Sequence, residues 1–146
     1  FLIMKNNWTN IKYTDMKKGL LIVLAFITLG VFAQDIFKLK KEKPHKEFEN
    51  ILVKKVSDDD NQTSFMIWVK DDVQLHKHAY HTENLYLVSG KGELTVGGET
   101  TLIKKGDYLT IPKNTAHSLK VTSFKPIQVL SIQSPRFVGN DRIFIK

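Results

Sequence analysis

The sequence turns on "HKHAYHTE", His76 to Glu83, which packs three of the chain's five histidines and one acid into eight residues. His76 and His78 are two apart. On a strand they share a face, with Cα atoms about 6.5–7 Å from one another. Two imidazoles at that spacing can converge on one ion. Glu83 is out of phase with them on a straight strand. It joins the same ion if the chain bends within "AYHT" and Glu83 enters from the next strand. His81 is also out of phase and reads as a supporting or exposed residue. Tyr80 keeps the phase of His76 and His78 before any bend. It is therefore a candidate catalytic acid or hydrogen-bond donor facing a cavity, with a packed aromatic as the competing reading.

Outward from this stretch the chain is strand after strand. "FENILVKKV" and "TSFMIWVK" are β-branched and aromatic runs joined by "SDDDNQ", a loop composition. Then follow "VQLHKHAY", "ENLYLVS", "GELTV", "TTLIK", "DYLTI", "HSLKVT", "IQVLSIQ" and "RIFI". Gly97-Gly98 is a two-residue hairpin signal. Beyond Gln34 no sustained apolar repeat at helical spacing occurs. Many short strands at even spacing predict an all-β sandwich or small barrel. "SFMIWV" is apolar on both faces, with Phe65, Ile67 and Val69 on one side and Met66 and Trp68 on the other. Met66, Trp68 and Tyr86 are candidates to line an apolar pocket, with ordinary core packing as the favoured alternative. His117, at the start of "HSLKVT", is a further candidate ligand, delivered by the turn in "GDYLTIPKNTA".

The chain has 146 residues, 22 Lys and Arg against 15 Asp and Glu, and no cysteine. That length suits one domain, and a hydrophobic content of 42% supports a core. Without cysteine, disulfides, thiolate metal sites and a Cys nucleophile are excluded. Near the N-terminus, Met16-Lys17-Lys18 precedes the apolar run "GLLIVLAFITLG" and then "VFA". This order is that of a secretory signal over residues 16–33, cut after Ala33. The run is short of the ~20 residues of a spanning helix, so no stable membrane anchor is expected after cleavage. Residues 1–15 read as an upstream extension from a misplaced gene start, and Gln34 to Glu47 as a polar lead-in to a domain over 48–146. Removing 1–33 takes away four lysines and one aspartate, lowering the formal charge from +7 to +4. The remaining lysines alternate with acids and carry no interleaved aromatics, which argues against a nucleic-acid face. The expected location is exported, periplasmic or secreted.

At this point the residues resemble a small single-domain cupin. The family's first motif runs His-x-His, four residues, Glu, six residues, Gly, and His76, His78, Glu83 and Gly90 stand at those spacings. The second is matched by Gly106, Pro112, Asn114, His117 and Val121. Asn114 stands where Gly is usual, and Asn tolerates positive φ. Val121 stands where Asn is usual. The resemblance implies a cupin-type double-stranded β-helix, a jelly-roll barrel, with one divalent metal near its mouth held by His76, His78, Glu83 and His117. Three imidazoles and one carboxylate leave coordination positions open, which suits Fe, Mn, Ni, Cu or Zn. The function implied is an exported metal-dependent enzyme acting on a small molecule, with a dioxygenase-type oxidoreductase favoured. Sugar isomerase, epimerase or lyase chemistry at a Lewis-acid metal is one alternative. Non-catalytic binding of a metal and a small ligand is another. The family also implies a possible homodimer through paired strands.

Overall fold

The computed structural model describes residues 36–145. The predicted extension, the predicted signal and the first two residues of the lead-in lie outside the described residues. Ten strands follow one 3-10 turn, Leu39–Lys41. They are β1 (Ile51–Asp58), β2 (Thr63–Val69), β3 (Asp72–His78), β4 (Thr82–Ser89) and β5 (Lys91–Val96), then β6 (Glu99–Lys104), β7 (Tyr108–Ile111), β8 (His117–Val121), β9 (Ile127–Ser134) and β10 (Arg142–Phe144). Each of the ten runs read from the sequence overlaps one of them. They form two antiparallel five-stranded sheets, ordered β1-β2-β9-β4-β7 and β10-β3-β8-β5-β6. This is the all-β jelly-roll architecture that the sequence predicts.

The core lies between the two sheets. Register aligns Val53, Ile67, Val129 and Leu87 in one inward row of the first sheet, and Ile51, Val69 and Ile127 in the next. Leu94, Ile103 and Leu119 of the second sheet pack against them. The fully buried ones, such as Leu87, Val69 and Ile127, contribute about 1.5–3 kcal/mol each, whereas Val53 is 48% exposed. The Gly97-Gly98 hairpin joins β5 and β6, with both φ angles positive as its twist requires. Gly92 is fixed by crowding, because a Cβ there would lie 2.6 Å from the Lys120 carbonyl oxygen.

The outer face of the first sheet accounts for the second apolar side of "SFMIWV". Met66 and Trp68 point away from the core into a cluster with Leu52 and Val88. Phe37, Leu39, Phe48 and Tyr86 pack onto this cluster. The expected alternative, that Met66, Trp68 and Tyr86 line a pocket, is therefore corrected. The cause is the lead-in, which carries enough apolar side chains to cover a sheet face despite its lysines. Gln128 on β9 fixes it there, its Nε2 donating to the Leu39 and Glu42 carbonyls at 3.1 and 3.3 Å.

Candidate metal centre

The octapeptide "HKHAYHTE" crosses from one sheet to the other. His76 and His78 end β3 in the second sheet, and Glu83 stands near the start of β4 in the first. A register break in β3 between Val73 and His76 turns both side chains toward the same interior, though they are three residues apart. His76 pairs directly with His117 on β8, and their ring centroids are 4.1 Å apart. The turn before His117 places Asn114 at φ 62, the positive-φ position that Asn tolerates. The Asn114 amide then donates to the His78 carbonyl at 2.6 Å, tying this turn to the end of β3.

Two of the histidine rings, His76 and His117, are held in one tautomer by their neighbours. His76 Nδ1 lies 2.8 Å from the Gln74 carbonyl, and His117 Nδ1 lies 3.0 Å from the Thr115 carbonyl. A carbonyl only accepts, so each Nδ1 carries the proton and each Nε2 keeps a free lone pair. His117 Nε2 is buried without a hydrogen-bond partner among the described residues. His76, His78 and His117 each offer a ring nitrogen within 4.8 Å of the other two. Glu83 approaches from the facing sheet, with Oε2 3.7 Å from His78 Nε2 and 3.5 Å from His117 Nε2. Ligand atoms around an ion with bonds of 2.0–2.1 Å stand about 3.0–3.4 Å apart, so small side-chain movements would complete such a site. The other carboxylate oxygen, Oε1, accepts from Ser131 Oγ and from Gln133 Nε2 at 3.2 Å. Both donors project from β9 on the face that Glu83 shares, Gln133 directly opposite it. They aim Oε2 at the imidazoles. The donor set and the orphaned nitrogen fit a divalent ion.

Electrostatics agrees with neutral imidazoles and an ionised carboxylate. Burial is the chief cause that lowers the His76 pKa, to about 4, with His117, Arg142 and His78 adding to the shift. Burial also lowers that of His78, although Glu83 opposes it. Burial alone would raise the Glu83 pKa. The close approach of the His117 ring, the hydrogen bond from Ser131 and the nearby His78 outweigh it and hold the carboxyl below its ordinary value. Metal ligands need these protonation states.

Tyr80 is corrected. Its side chain is 69% exposed and does not line the cavity. The strand ends at His78, and Ala79 and Tyr80 bend, so the phase that aligned Tyr80 with the histidines is lost. Asp141 makes the bend. Its carbonyl accepts from Ala79 N, and its carboxylate accepts from the amides of Tyr80 and His81. His81 is buried rather than exposed. It bonds to Asp141 Oδ2 through Nδ1 and lies 3.0 Å from the Arg136 carbonyl through Nε2. Asp141 Oδ2 also stands 3.5 Å from His78 Nδ1. Asp141, Ser131 and Gln133 have no signal in the sequence. They belong to the site through strand register and a contact 60 residues long.

Beneath the histidines runs a cavity of about 280 Å³ between the sheets. Its walls are aliphatic, among them Ile67, Val69, Leu85, Leu87, Leu94 and Val129. His76, His78, Glu83, His117, Gln133 and Arg142 gather its polar groups. Phe137 lines it from the segment after β9, its ring edge-on to Phe65 at 5.6 Å.

Comparison with known proteins agrees with this architecture. The pattern of the cupin domain matches residues 64–133. An uncharacterized protein of Aquifex aeolicus is 34% identical over 113 residues, spanning 77% of this chain and 92% of that protein. Quercetin 2,3-dioxygenase of Bacillus subtilis is 36% identical over 53 residues, 36% of this chain and 16% of the enzyme. This chain thus matches a small part of that enzyme's length. Among solved structures, a conserved Klebsiella pneumoniae protein with a double-stranded β-helix domain superposes with a TM-score of 0.65 at 17% identity. That match covers 77% of this chain and 92% of the other.

Proposed function

Because the chain belongs to the cupin family, we propose that it is a metal-dependent enzyme of the dioxygenase type acting on a small, largely apolar molecule. The observation that carries this reading is the convergence of three buried imidazoles and one carboxylate at the polar part of an aliphatic cavity. A divalent redox metal supplies a centre on which oxygen and a chelating substrate meet. His76, His78, His117 and Glu83 would hold it. Ser131 and Gln133 orient Glu83, and the Gln74 and Thr115 carbonyls orient two of the rings. The aliphatic walls exclude water and take the body of the substrate. They also weigh against a sugar, whose hydroxyls would find few partners there. The segment of similarity to quercetin 2,3-dioxygenase supports the same chemistry.

The test is reconstitution of metal-free protein in an open mixture of Fe(II), Mn(II), Ni(II), Cu(II) and Zn(II), followed by elemental analysis. Uptake of a redox metal is expected, with oxygen consumption in the presence of small aromatic substrates. Retention of zinc alone would sink the dioxygenase reading. The proposal includes export to the periplasm or medium through residues 16–33, and N-terminal sequencing of the exported protein should begin at Gln34. A homodimer is also proposed, tested by light scattering.

A further inference from the structure

Arg142 opens β10, where it pairs with His78. The residue is exposed, and its side chain also lines the cavity, with Nη2 3.5 Å from His76 Nδ1 and the guanidinium 5.2 Å from the Phe144 ring centroid. No carboxylate lies within ion-pair distance of it among the described residues, although the chain's other cavity-lining charge, Glu83, acts on it at longer range. Asp141, the adjacent residue, is turned away and committed to His81 and the bend. Apart from the approach to His76 Nδ1, the guanidinium therefore presents donors that no carboxylate among the described residues engages.

The charges point the same way. Glu83 and Arg142 are the charged side chains that line the cavity among the described residues, and they cancel. A divalent ion on the buried histidines would leave a net charge of +2 along the cavity, part of it on the exposed Arg142. The share of that charge at the buried ion is costly to leave uncompensated. An anionic ligand removes part of it, and a planar carboxylate matches the guanidinium fork. We propose that Arg142 is the anion-binding residue of this site, and that the substrate is a small organic acid whose carboxylate meets Arg142 while its apolar body fills the aliphatic cavity. This assignment rests on the metal-centre reading for its role in turnover, but the contact with Arg142 does not need the metal.

The experiment separates the two. Binding of phenylacetate and of its neutral counterpart phenylacetamide is measured by calorimetry on metal-free and Zn(II)-loaded protein. The protein is compared as wild type, Arg142→Gln and Arg142→Lys. In the wild type the acid should bind about 10- to 100-fold more tightly than the amide in both metal states. Arg142→Gln should abolish that preference while leaving zinc content and the unfolding midpoint unchanged. Arg142→Lys should keep part of it. Equal binding of acid and amide by the wild type, binding of neither, or a preference that survives Arg142→Gln would overturn the proposal. Failure of the wild type to take up zinc would count against the metal centre alone, since the acid preference of the metal-free protein would still report on Arg142.

Discussion

Two buried histidine–carboxylate groups lie on either side of the bend at Ala79, and they differ in what is left unbonded. His81 and Asp141 close on each other. One ring nitrogen meets Asp141 and the other faces the Arg136 carbonyl, and the carboxylate takes the ring and two backbone amides. His76, His78, His117 and Glu83 are equally buried, yet their hydrogen bonds all run outward, to Gln74, Thr115, Ser131 and Gln133. What remains is an orphaned His117 Nε2 and an oriented Glu83 Oε2 facing inward, with His78 Nδ1 also unbonded 3.5 Å from Asp141 Oδ2. Burying an unbonded polar atom costs about 1–3 kcal/mol. A group that satisfies itself holds the fold. A group that satisfies its outer atoms and leaves its inner ones open is arranged for something it must bind.

The comparison breaks most visibly at Asp141. Asp141→Ala removes one partner of a buried pair and strands the His81 ring and two amides. It should destabilise the protein by about 3–5 kcal/mol, read from the denaturant midpoint. The contrasting change, His117→Ala, should do its damage to the metal. Retention measured by elemental analysis should fall by more than the roughly 10–100-fold that follows loss of a supporting contact. Its cost in metal-free stability should be smaller than that of Asp141→Ala, and the reverse order would erase the distinction drawn here.

Acid should act on the open group. The folded-state pKa of His76 is lowered to about 4, so between there and the ordinary imidazole value near 6.5 the unfolded chain binds more protons. Stability is then full above about pH 6.5 and declines as pH falls toward 4, by an amount on the order of 3 kcal/mol. Glu83, also lowered, contributes a second decline below its ordinary value near 4.5. Thermal midpoints of metal-free protein across pH 7.5 to 4 would show this slope, and a flat profile would remove the claim that the imidazoles are held neutral. The smallest effect belongs to Tyr80→Phe. At an exposed position on the bend it should change stability by less than about 0.5 kcal/mol and leave metal content untouched.

The strands were legible because their apolar and β-branched runs are short and separated by turn residues. Phase makes a bend after His78 the condition for Glu83 to reach the imidazoles, and the cupin resemblance supplies Glu83 as the ligand that needs it. Tyr80 was misplaced by the same logic, because the phase argument extended the strand two residues too far. What a strand's second apolar face packs against is not written in the strand. Met66 and Trp68 are covered by Phe37, Leu39 and Phe48, which sit in a stretch whose lysines dominate its composition. Ser131, Gln133 and Asp141 could not be found at all without register. An ordinary serine, glutamine and aspartate become functional only when a distant strand lays them beside Glu83 or His78.

The catch made by Asp141 also sets an order of events. His76, His78 and Glu83 are synthesised early in the domain, but the residue that shapes the link between them lies 60 positions after His81. Long-range closures of this kind come late in folding, after the loop entropy has been met. The histidines on β3 would thus gain their final geometry when the last strand docks. A chain still emerging would hold metal loosely, and the completed chain would hold it tightly. Any metal would then be fixed only at the end of folding.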